Sequence, residues 1–377
     1  MKMIPYGRQW ITKEDISAVV KVLKSDWITQ GPKIAEFERT VAKYCGARYA
    51  VAVSSGTAAL HVACLAAGIK QGDEVITSPV TFVASANCVL YCGGKPVFAD
   101  IEEKTANIDA FEIEKKINKK TKAIIPVDFA GHPCDLDAIL KIAKKRGLLV
   151  IEDAAHSLGA KYKGKKIGGL ADMTILSFHP VKHITTGEGG MVLTNDKKLY
   201  SRLLLYRTHG ITRDPEELED NHGAWYYEMK VLGYNYRITD IQCALGISQL
   251  KRLDYFVKRR REIAEIYKKE LSSIKAIELP AEEDSCRSSY HLYVIRVKDK
   301  TKRAGIFQQL RTKGIMANVH YIPVHLHPYY RQNFGYKKGD FPIAEDYYQR
   351  AISLPIYPKM NLNQVKRIII AVKDALK

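Results

Sequence analysis

Between residues 47 and about 195 the chain alternates short runs of β-branched and apolar residues with longer stretches of helical character. Strand, helix and strand in this order predict an α/β fold with a mainly parallel sheet buried between helices, because parallel strands need long crossover connections. We expect strands at residues 50–53, 74–77, 95–100, 123–127, 148–153, 173–177 and 190–194, and helices that include residues 57–63, 82–86 and 135–140.

The pattern changes after about residue 240. A long amphipathic helical region at 241–271 is followed by a strand at 290–297, then by a helix and a second strand. A chain of 377 residues exceeds what a single hydrophobic core usually fills. We therefore predict an N-terminal segment and large domain at residues 1–245, and a smaller C-terminal α+β domain at residues 246–377.

The net charge of +18 raises the question of nucleic-acid binding. The lysines occur in short doublets on polar helix faces, and the sequence has neither an aromatic-rich RNA-binding strand nor a helix-turn-helix pattern. We expect a solvated basic surface that attracts an anionic substrate, and no nucleic-acid partner.

Membrane insertion, disulfide bonds and metal binding are not indicated either. No stretch approaches the roughly 18 apolar residues that would span a bilayer, so we expect a cytoplasmic protein with no membrane partner. The seven cysteines are scattered and include no CxxC pair, so neither a disulfide framework nor a zinc site is predicted. We expect no metal.

Lys182 lies in a short loop between the predicted strands 173–177 and 190–194, and a glycine-rich turn at 187–190 follows it. A lysine held inside the protein loses charge and becomes a nucleophile, as Schiff-base chemistry requires. The alternative is an ordinary solvated lysine.

Other residues could meet the remaining needs of a pyridoxal cofactor. Asp153 ends a hydrophobic strand and could pair with a protonated pyridine nitrogen, although it could instead cap a helix. Residues 54–60 follow a strand and open a helix, where free N–H groups favour a phosphate; Ser and Thr are also ordinary N-caps there. Phe82 could stack on the cofactor ring or be a core residue.

These motifs together resemble the DegT family of nucleotide-sugar aminotransferases. The similarity rests on residues 56–57, 153–156, 177–182 and 187–190, and it extends from 27–32 to 320–323. It implies the type I fold of pyridoxal-phosphate (PLP) enzymes. It also implies a homodimer with active sites at the subunit boundary.

The resemblance implies cofactor-binding roles. Lys182 would be the catalytic Schiff-base lysine, and Asp153 would be the catalytic partner of the pyridine nitrogen. Phe82 would stack on the ring. His156 would contact the ring hydroxyl, where many relatives have Gln, and its protonation would make activity more sensitive to pH. The phosphate would be held by Gly56, Thr57 and Ser177, and Asn235 would reach the phosphate of the neighbouring subunit's cofactor.

The resemblance also implies a substrate site. The histidines near residue 320 could instead bind metal or lie on the surface, but they lack nearby carboxylates in the sequence. The stretch 212–227 could be a lid, a dimer contact or a passive insertion. The residues expected to contact the sugar nucleotide are Tyr6, Asp26, Trp27, Ile28, Thr29, Asn318, Val319, His320, Tyr321 and Tyr330.

Segments 4–7, 78–87, 127–131 and 235–240 resemble most the 4-aminotransferases of pseudaminic acid biosynthesis. This implies transfer of an amino group from an amino acid, by similarity glutamate, to C4 of a UDP-linked 4-keto-6-deoxy-N-acetylhexosamine. The alternatives are another UDP-, dTDP- or GDP-keto-sugar aminotransferase, a PLP sugar dehydratase, which would have histidine in place of Lys182, and a non-catalytic sensor.

Overall fold

The computed structural model describes residues 3–377. Its helices are α1 (Lys13–Leu23), α2 (Pro32–Cys45), α3 (Gly56–Ala66), α4 (Ala84–Tyr91), α5 (Ala110–Lys116), α6 (Leu136–Arg146), α7 (Lys197–Arg207), α8 (Asp240–Leu250), α9 (Leu253–Leu271), α10 (Arg303–Thr312), α11 (Pro328–Phe334), α12 (Pro342–Arg350) and α13 (Leu362–Ala375).

The strands are β1 (Tyr49–Val53), β2 (Glu74–Thr77), β3 (Lys95–Phe98), β4 (Thr121–Ile125), β5 (Leu149–Asp153), β6 (Lys161–Tyr162), β7 (Lys165–Lys166), β8 (Met173–Ser177), β9 (Gly190–Thr194), β10 (Ile211–Thr212), β11 (Glu228–Met229), β12 (Ile277–Glu278), β13 (Cys286–Arg287), β14 (Tyr293–Val297) and β15 (Ala351–Leu354).

A seven-stranded sheet organises the molecule, in the order β1-β9-β8-β5-β4-β2-β3. The five strands from β3 to β8 pair in parallel, whereas β9 runs antiparallel to both β8 and β1. Most residues of these strands are buried, as a sheet covered on both faces requires. The predicted α/β class with a mainly parallel sheet is confirmed.

Local signals fix where the helices begin and end. The Ser55 hydroxyl accepts the N–H of Ala58 at 3.1 Å and so caps α3. The Asp135 carboxylate caps α6 in the same way, and this helix ends at Gly147, whose φ of +66° is one that glycine adopts without strain.

A separate hydrophobic cluster fills the C-terminal part of the chain. It packs the antiparallel sheet β12-β14-β15 against α9, α10 and α13. Ile4 also belongs to this cluster, and its backbone pairs with Ile315. The N-terminal segment therefore contacts the C-terminal core, while the division at residues 245 and 246 stays a prediction.

Several element boundaries differ from the predictions. The region 241–271 contains two helices, because the backbone leaves helical geometry at Arg252, whose side chain bonds the buried Asp15 carboxylate at 2.5 Å. The strand predicted from residue 290 begins at Tyr293, because Tyr290 has a φ of +47° that is incompatible with an extended strand.

Two further segments differ in detail from the predictions. Phe82, which was expected to begin a helix, lies in the loop before α4. The stretch 212–227 is closed by the pairing of β10 with β11, and the Glu228 carboxylate accepts the N–H groups of Glu219 and Asp220.

Among residues 3–377 no helix is both long and apolar enough to cross a membrane. The same residues contain no group of three or more His, Cys, Asp or Glu side chains placed to hold a metal ion.

Candidate active site

A cavity of about 530 Å³ lies at the carboxyl ends of β5 and β8, beside the first turn of α3. Ligands bind at this edge in open α/β sheets. Predicted residues that line the cavity are Tyr6, Gly56, Thr57, Phe82, Asp153, His156, Ser177, Lys182, Asn318, Val319, His320 and Tyr321.

Lys182 enters the cavity from the loop between β8 and β9. Its backbone N–H donates to the carbonyl of His179 at 2.9 Å. Burial lowers the pKa of the Lys182 amine to about 8; the Asp153 carboxylate opposes this change and the Arg260 cation adds to it. A larger neutral fraction makes this amine a better nucleophile than a solvated lysine.

Asp153 is the last residue of β5, and its carboxylate is buried at the cavity wall. The Ser85 hydroxyl donates to Oδ2 at 2.6 Å, and the Ala155 N–H donates to Oδ1 at 3.2 Å. Burial raises the pKa of Asp153, while these two hydrogen bonds and the nearby Lys182 amine oppose the rise. The carboxylate is thus held in one orientation, with Lys182 as its cationic neighbour.

The first turn of α3 and the end of β8 approach each other closely. A Cβ atom on Gly56 would lie 3.0 Å from the Cβ of Ser177, so a larger residue would crowd the Ser177 hydroxyl. Thr57 lines the same end of the cavity. Free N–H groups and the helix dipole at this terminus favour an anion.

His156 and Tyr321 are linked across the cavity wall. The Tyr321 hydroxyl and Nε2 of His156 are 3.1 Å apart, and the rings are nearly parallel with centroids 6.1 Å apart. The buried Nδ1 of His156 has no hydrogen-bond partner within residues 3–377. Burial lowers the pKa of His156 well below its usual value, so its imidazole is neutral at physiological pH.

The segment 318–321 also lines the cavity. Nδ1 of His320 is 2.8 Å from the Ser353 hydroxyl, and its ring lies 5.3 Å from the ring of Tyr6. Burial lowers the pKa of His320 to about 4, with the Lys182 amine as a second cause.

Other predicted residues lie outside this cavity. Tyr330 is 2% exposed, packs in a hydrophobic cluster and donates its hydroxyl hydrogen to the Asn87 side chain at 2.6 Å. Trp27 is 58% exposed. Asp26, Ile28, Thr29 and Asn235 are likewise absent from the cavity wall, and Asn235 is exposed.

The DegT/DnrJ/EryC1/StrS aminotransferase family matches residues 9–373. The chain belongs to this family. It is a PLP-dependent nucleotide-sugar aminotransferase, and the predicted cofactor and reaction class are confirmed.

Three curated relatives span the full length of the aminotransferase. The Bacillus subtilis (strain 168) spore coat polysaccharide biosynthesis protein SpsC is 45% identical, covering 99% of this chain and 97% of its own. The Escherichia coli O157:H7 GDP-perosamine synthase is 41% identical, with 97% and 96% covered. The Campylobacter jejuni (strain 81-176) UDP-4-amino-4,6-dideoxy-N-acetyl-beta-L-altrosamine transaminase is 40% identical, with 99% and 96% covered.

Two solved structures have the same fold. Helicobacter pylori PseC, an aminotransferase involved in the biosynthesis of pseudoaminic acid, is 36% identical with a TM-score of 0.92, covering 100% of this chain and 99% of its own. Spr1654 from Streptococcus pneumoniae, solved in a PLP form, is 33% identical with a TM-score of 0.93, and 99% and 98% are covered. The predicted type I fold agrees with these neighbours.

The sequence did not reveal every residue at the aminotransferase's cavity. Ser85 bonds Asp153 although 68 positions separate them, and the Thr81 hydroxyl lies 2.7 Å from that of Ser85. Both line the cavity, as does the exposed Glu188. Ser85 lies in the first turn of α4. This position at the start of a helix was the only feature of the sequence that could have indicated its place in the cavity.

The buried histidine His183 is expected to make the stability of the aminotransferase depend on pH. Burial is the main cause that lowers its folded-state pKa well below 6.5. Below about pH 6.5 the unfolded chain binds a proton that the native His183 does not, so its contribution to the free energy of unfolding falls as pH falls. We expect the stability gap between wild type and His183→Gln to shrink by about 1.4 kcal/mol per pH unit below pH 6.5.

Urea denaturation of the apoprotein at pH values of about 7, 6 and 5 measures this gap. Comparing the two proteins cancels the contribution of buried carboxyl groups with raised pKa values, such as Asp128, whose effect has the opposite sign. Thr185→Ala, a buried neighbour without a titrating side chain, should show a gap that is constant with pH. A constant gap for His183→Gln would contradict the prediction.

Proposed function

We propose that the aminotransferase moves an amino group from an amino acid, L-glutamate, to C4 of a UDP-linked 4-keto-6-deoxy-N-acetylhexosamine, as in pseudaminic acid biosynthesis.

The observation that carries this proposal is the full-length match to the Campylobacter jejuni transaminase, whose name specifies UDP and a 4-amino-4,6-dideoxy-N-acetyl sugar. The similarity to PseC supports the same substrate. The match to GDP-perosamine synthase supports the alternative of a GDP-linked sugar.

The cavity residues fit PLP. Asp153 offers a buried carboxylate to the ring nitrogen, and the unpaired Nδ1 of His156 marks a polar atom that lacks a partner among the described residues. Phe82 is 58% exposed at the cavity, which leaves a ring face free for stacking. We propose that Gly56, Thr57 and Ser177 hold the phosphate, with the closeness of Gly56 to Ser177 keeping side chains out of that space.

Lys182 is proposed to bind the cofactor covalently through Nζ and to move the proton in both half-reactions. When bound, PLP would supply an aldehyde carbon to carry the amino group and an electron-withdrawing ring to stabilise negative charge on the reacting carbon. The incoming amino donor would displace Nζ of Lys182 from the cofactor, and the freed amine would take the proton from Cα of the donor and pass it to the cofactor carbon. In the second half-reaction Nζ would take a proton back from that carbon and deliver it to C4 of the sugar. Asp153 stabilises positive charge at the ring nitrogen through its fixed carboxylate.

A homodimer with shared active sites is part of the proposal. Ile16, Val20 and Leu23 recur at helical spacing on α1, and all three are exposed, as are Trp27 and Ile28. Exposed apolar stripes of this kind favour burial against a second copy. Such a dimer would place residues outside the cavity, Asn235 among them, within reach of the partner's cofactor.

The enzymatic rival, a sugar dehydratase, is disfavoured because position 182 holds lysine rather than histidine. A non-catalytic sensor is disfavoured because the expected cofactor contacts Lys182, Asp153, His156 and Phe82 all meet at one cavity.

The substrate prediction is tested by mixing the pyridoxamine-phosphate form of the enzyme with UDP-, dTDP- and GDP-linked 4-keto-6-deoxy sugars. We expect the visible absorbance of the PLP form to return with the UDP-linked N-acetylhexosamine at least about 100-fold faster than with the others, because a site built for one polar group leaves buried groups unpaired with another. Mass spectrometry of the product should show one amino group gained. Conversion of GDP- or dTDP-linked sugars alone would refute the UDP assignment and leave the reaction class intact.

A further inference from the structure

Arg260 is a charged residue in the interior of the protein. It lies on α9, is 1% exposed and does not line the cavity. Among residues 3–377, its guanidinium donates only to backbone carbonyl oxygens. These are the carbonyls of Ile356 at 2.8 Å, His291 at 3.2 Å, Tyr290 at 3.3 Å and Val181 at 3.5 Å.

No carboxylate within residues 3–377 forms an ion pair with this charge. The ion pairs in the described part of the chain include Arg259 with Glu262 and Arg261 with Glu282, but none includes Arg260. Burial lowers the pKa of Arg260 to about 9, so the side chain is still a cation at neutral pH. A buried charge without a counter-ion is costly, which raises the question of what the charge does.

The location of Arg260 connects it with Lys182. Val181, whose carbonyl it binds, directly precedes Lys182, and Tyr290 has a φ of +47° that non-glycine residues rarely adopt. The side chain therefore ties α9 to the lysine loop and to a constrained turn.

The groups around Lys182 are few. The groups that interact electrostatically with its amine are Asp153, Arg260 and the imidazoles of His156, His183, His291 and His320. Burial lowers the pKa of each of these imidazoles, so all four are neutral at physiological pH. Among these groups, Asp153 and Arg260 are therefore the ones that carry a charge. Asp153 raises the pKa of the Lys182 amine, and Arg260 lowers it.

We propose that Arg260 is a positioning residue for Lys182: it fixes the loop through the Val181 carbonyl, and its positive charge favours the neutral amine that attacks an aldehyde. This inference rests on the proposed role of Lys182. At pH 7 an amine with a pKa of about 8 is neutral in about one molecule in ten, against about one in 3,000 for an ordinary lysine.

The test measures how fast the apoenzyme captures PLP as a function of pH, followed by the visible absorbance of the covalent product. In wild type we expect the rate to rise through a midpoint near pH 8. Arg260→Gln and Arg260→Met remove the charge, and the midpoint should move up by about one pH unit, making capture at pH 7 about tenfold slower. Arg260→Lys retains the charge and should keep the midpoint within a few tenths of a unit.

Arg261→Met is the matched control on the same helix, because its partners are Glu282, the Ser288 carbonyl and the Tyr290 ring, and it does not bind the Val181 carbonyl. Its midpoint should equal that of wild type. A purely structural role for Arg260 would lower the melting temperature without moving the midpoint. That result, in either neutral variant that folds, would overturn the proposal. Equal shifts in Arg260→Lys and Arg260→Gln would also overturn it, because charge would then be irrelevant.

Failure of the underlying assignment would look different. Borohydride reduction followed by peptide mass spectrometry identifies the lysine that binds PLP. Modification of a lysine other than Lys182 would overturn the role of Lys182 itself, whereas modification of Lys182 with an unmoved midpoint in the Arg260 variants would overturn only the inference about Arg260.

Discussion

Replacing Lys182 with alanine is expected to reduce amino transfer by at least about 10⁴-fold, because one atom, Nζ, is proposed both to bind the cofactor and to move the proton. The side chain lies in the cavity, and its amine has a pKa lowered to about 8, which suits it to both tasks at physiological pH. Single-turnover assays of each half-reaction, with PLP and with pyridoxamine phosphate, measure the loss.

Lys182→Arg is the matched control because it retains a positive charge but not a nucleophilic amine, and it should be as inactive as the alanine variant. In neither variant should borohydride fix PLP to the peptide containing residue 182. Added methylamine should restore part of the proton transfer in Lys182→Ala, where space is available. Retention of wild-type rates and of the covalent linkage by Lys182→Ala would exclude this residue as the cofactor lysine.

The fold was largely predictable because its strands are short hydrophobic runs with clear ends. The run before Asp153 and the run before Ser177 become β5 and β8, and these strands pair in parallel as neighbours. Two polar residues, each the last residue of its strand, are thus brought to one edge of the sheet. Hydrophobic patterning does not encode strand order, so the antiparallel place of β9 between β1 and β8 could not be predicted.

The site was predictable only where local motifs mark it. Ser85 and Arg260 act across 68 and 79 positions, on Asp153 and Val181 respectively, and such contacts depend on how finished elements pack. Tyr330 was expected near the substrate, but its hydroxyl is bonded to Asn87 inside a hydrophobic cluster. An aromatic residue near a motif looks the same in sequence whether it faces a cavity or the core.

Replacing Asp153 with asparagine is expected to slow both half-reactions by about 10²–10³-fold while leaving PLP bound to Lys182. The substitution removes the negative charge but changes the shape of the side chain little. Its amide oxygen can still accept the hydrogen bond from Ser85, whose Oγ lies 2.6 Å from Oδ2 of Asp153. Rapid-mixing measurements of each half-reaction, alongside the cofactor content determined by absorbance, separate slow chemistry from lost binding.

Ser85→Ala provides the comparison, because it removes the hydrogen bond that orients the Asp153 carboxylate and leaves the charge in place. A loss of about tenfold is expected for Ser85→Ala, since an orienting hydrogen bond contributes about 1.5 kcal/mol when its acceptor is charged. If the charge of Asp153 acts on the ring nitrogen, Asp153→Asn must be slower than Ser85→Ala by a further factor of ten or more. Equal losses in the two variants would mean that orientation, and not charge, is what Asp153 contributes.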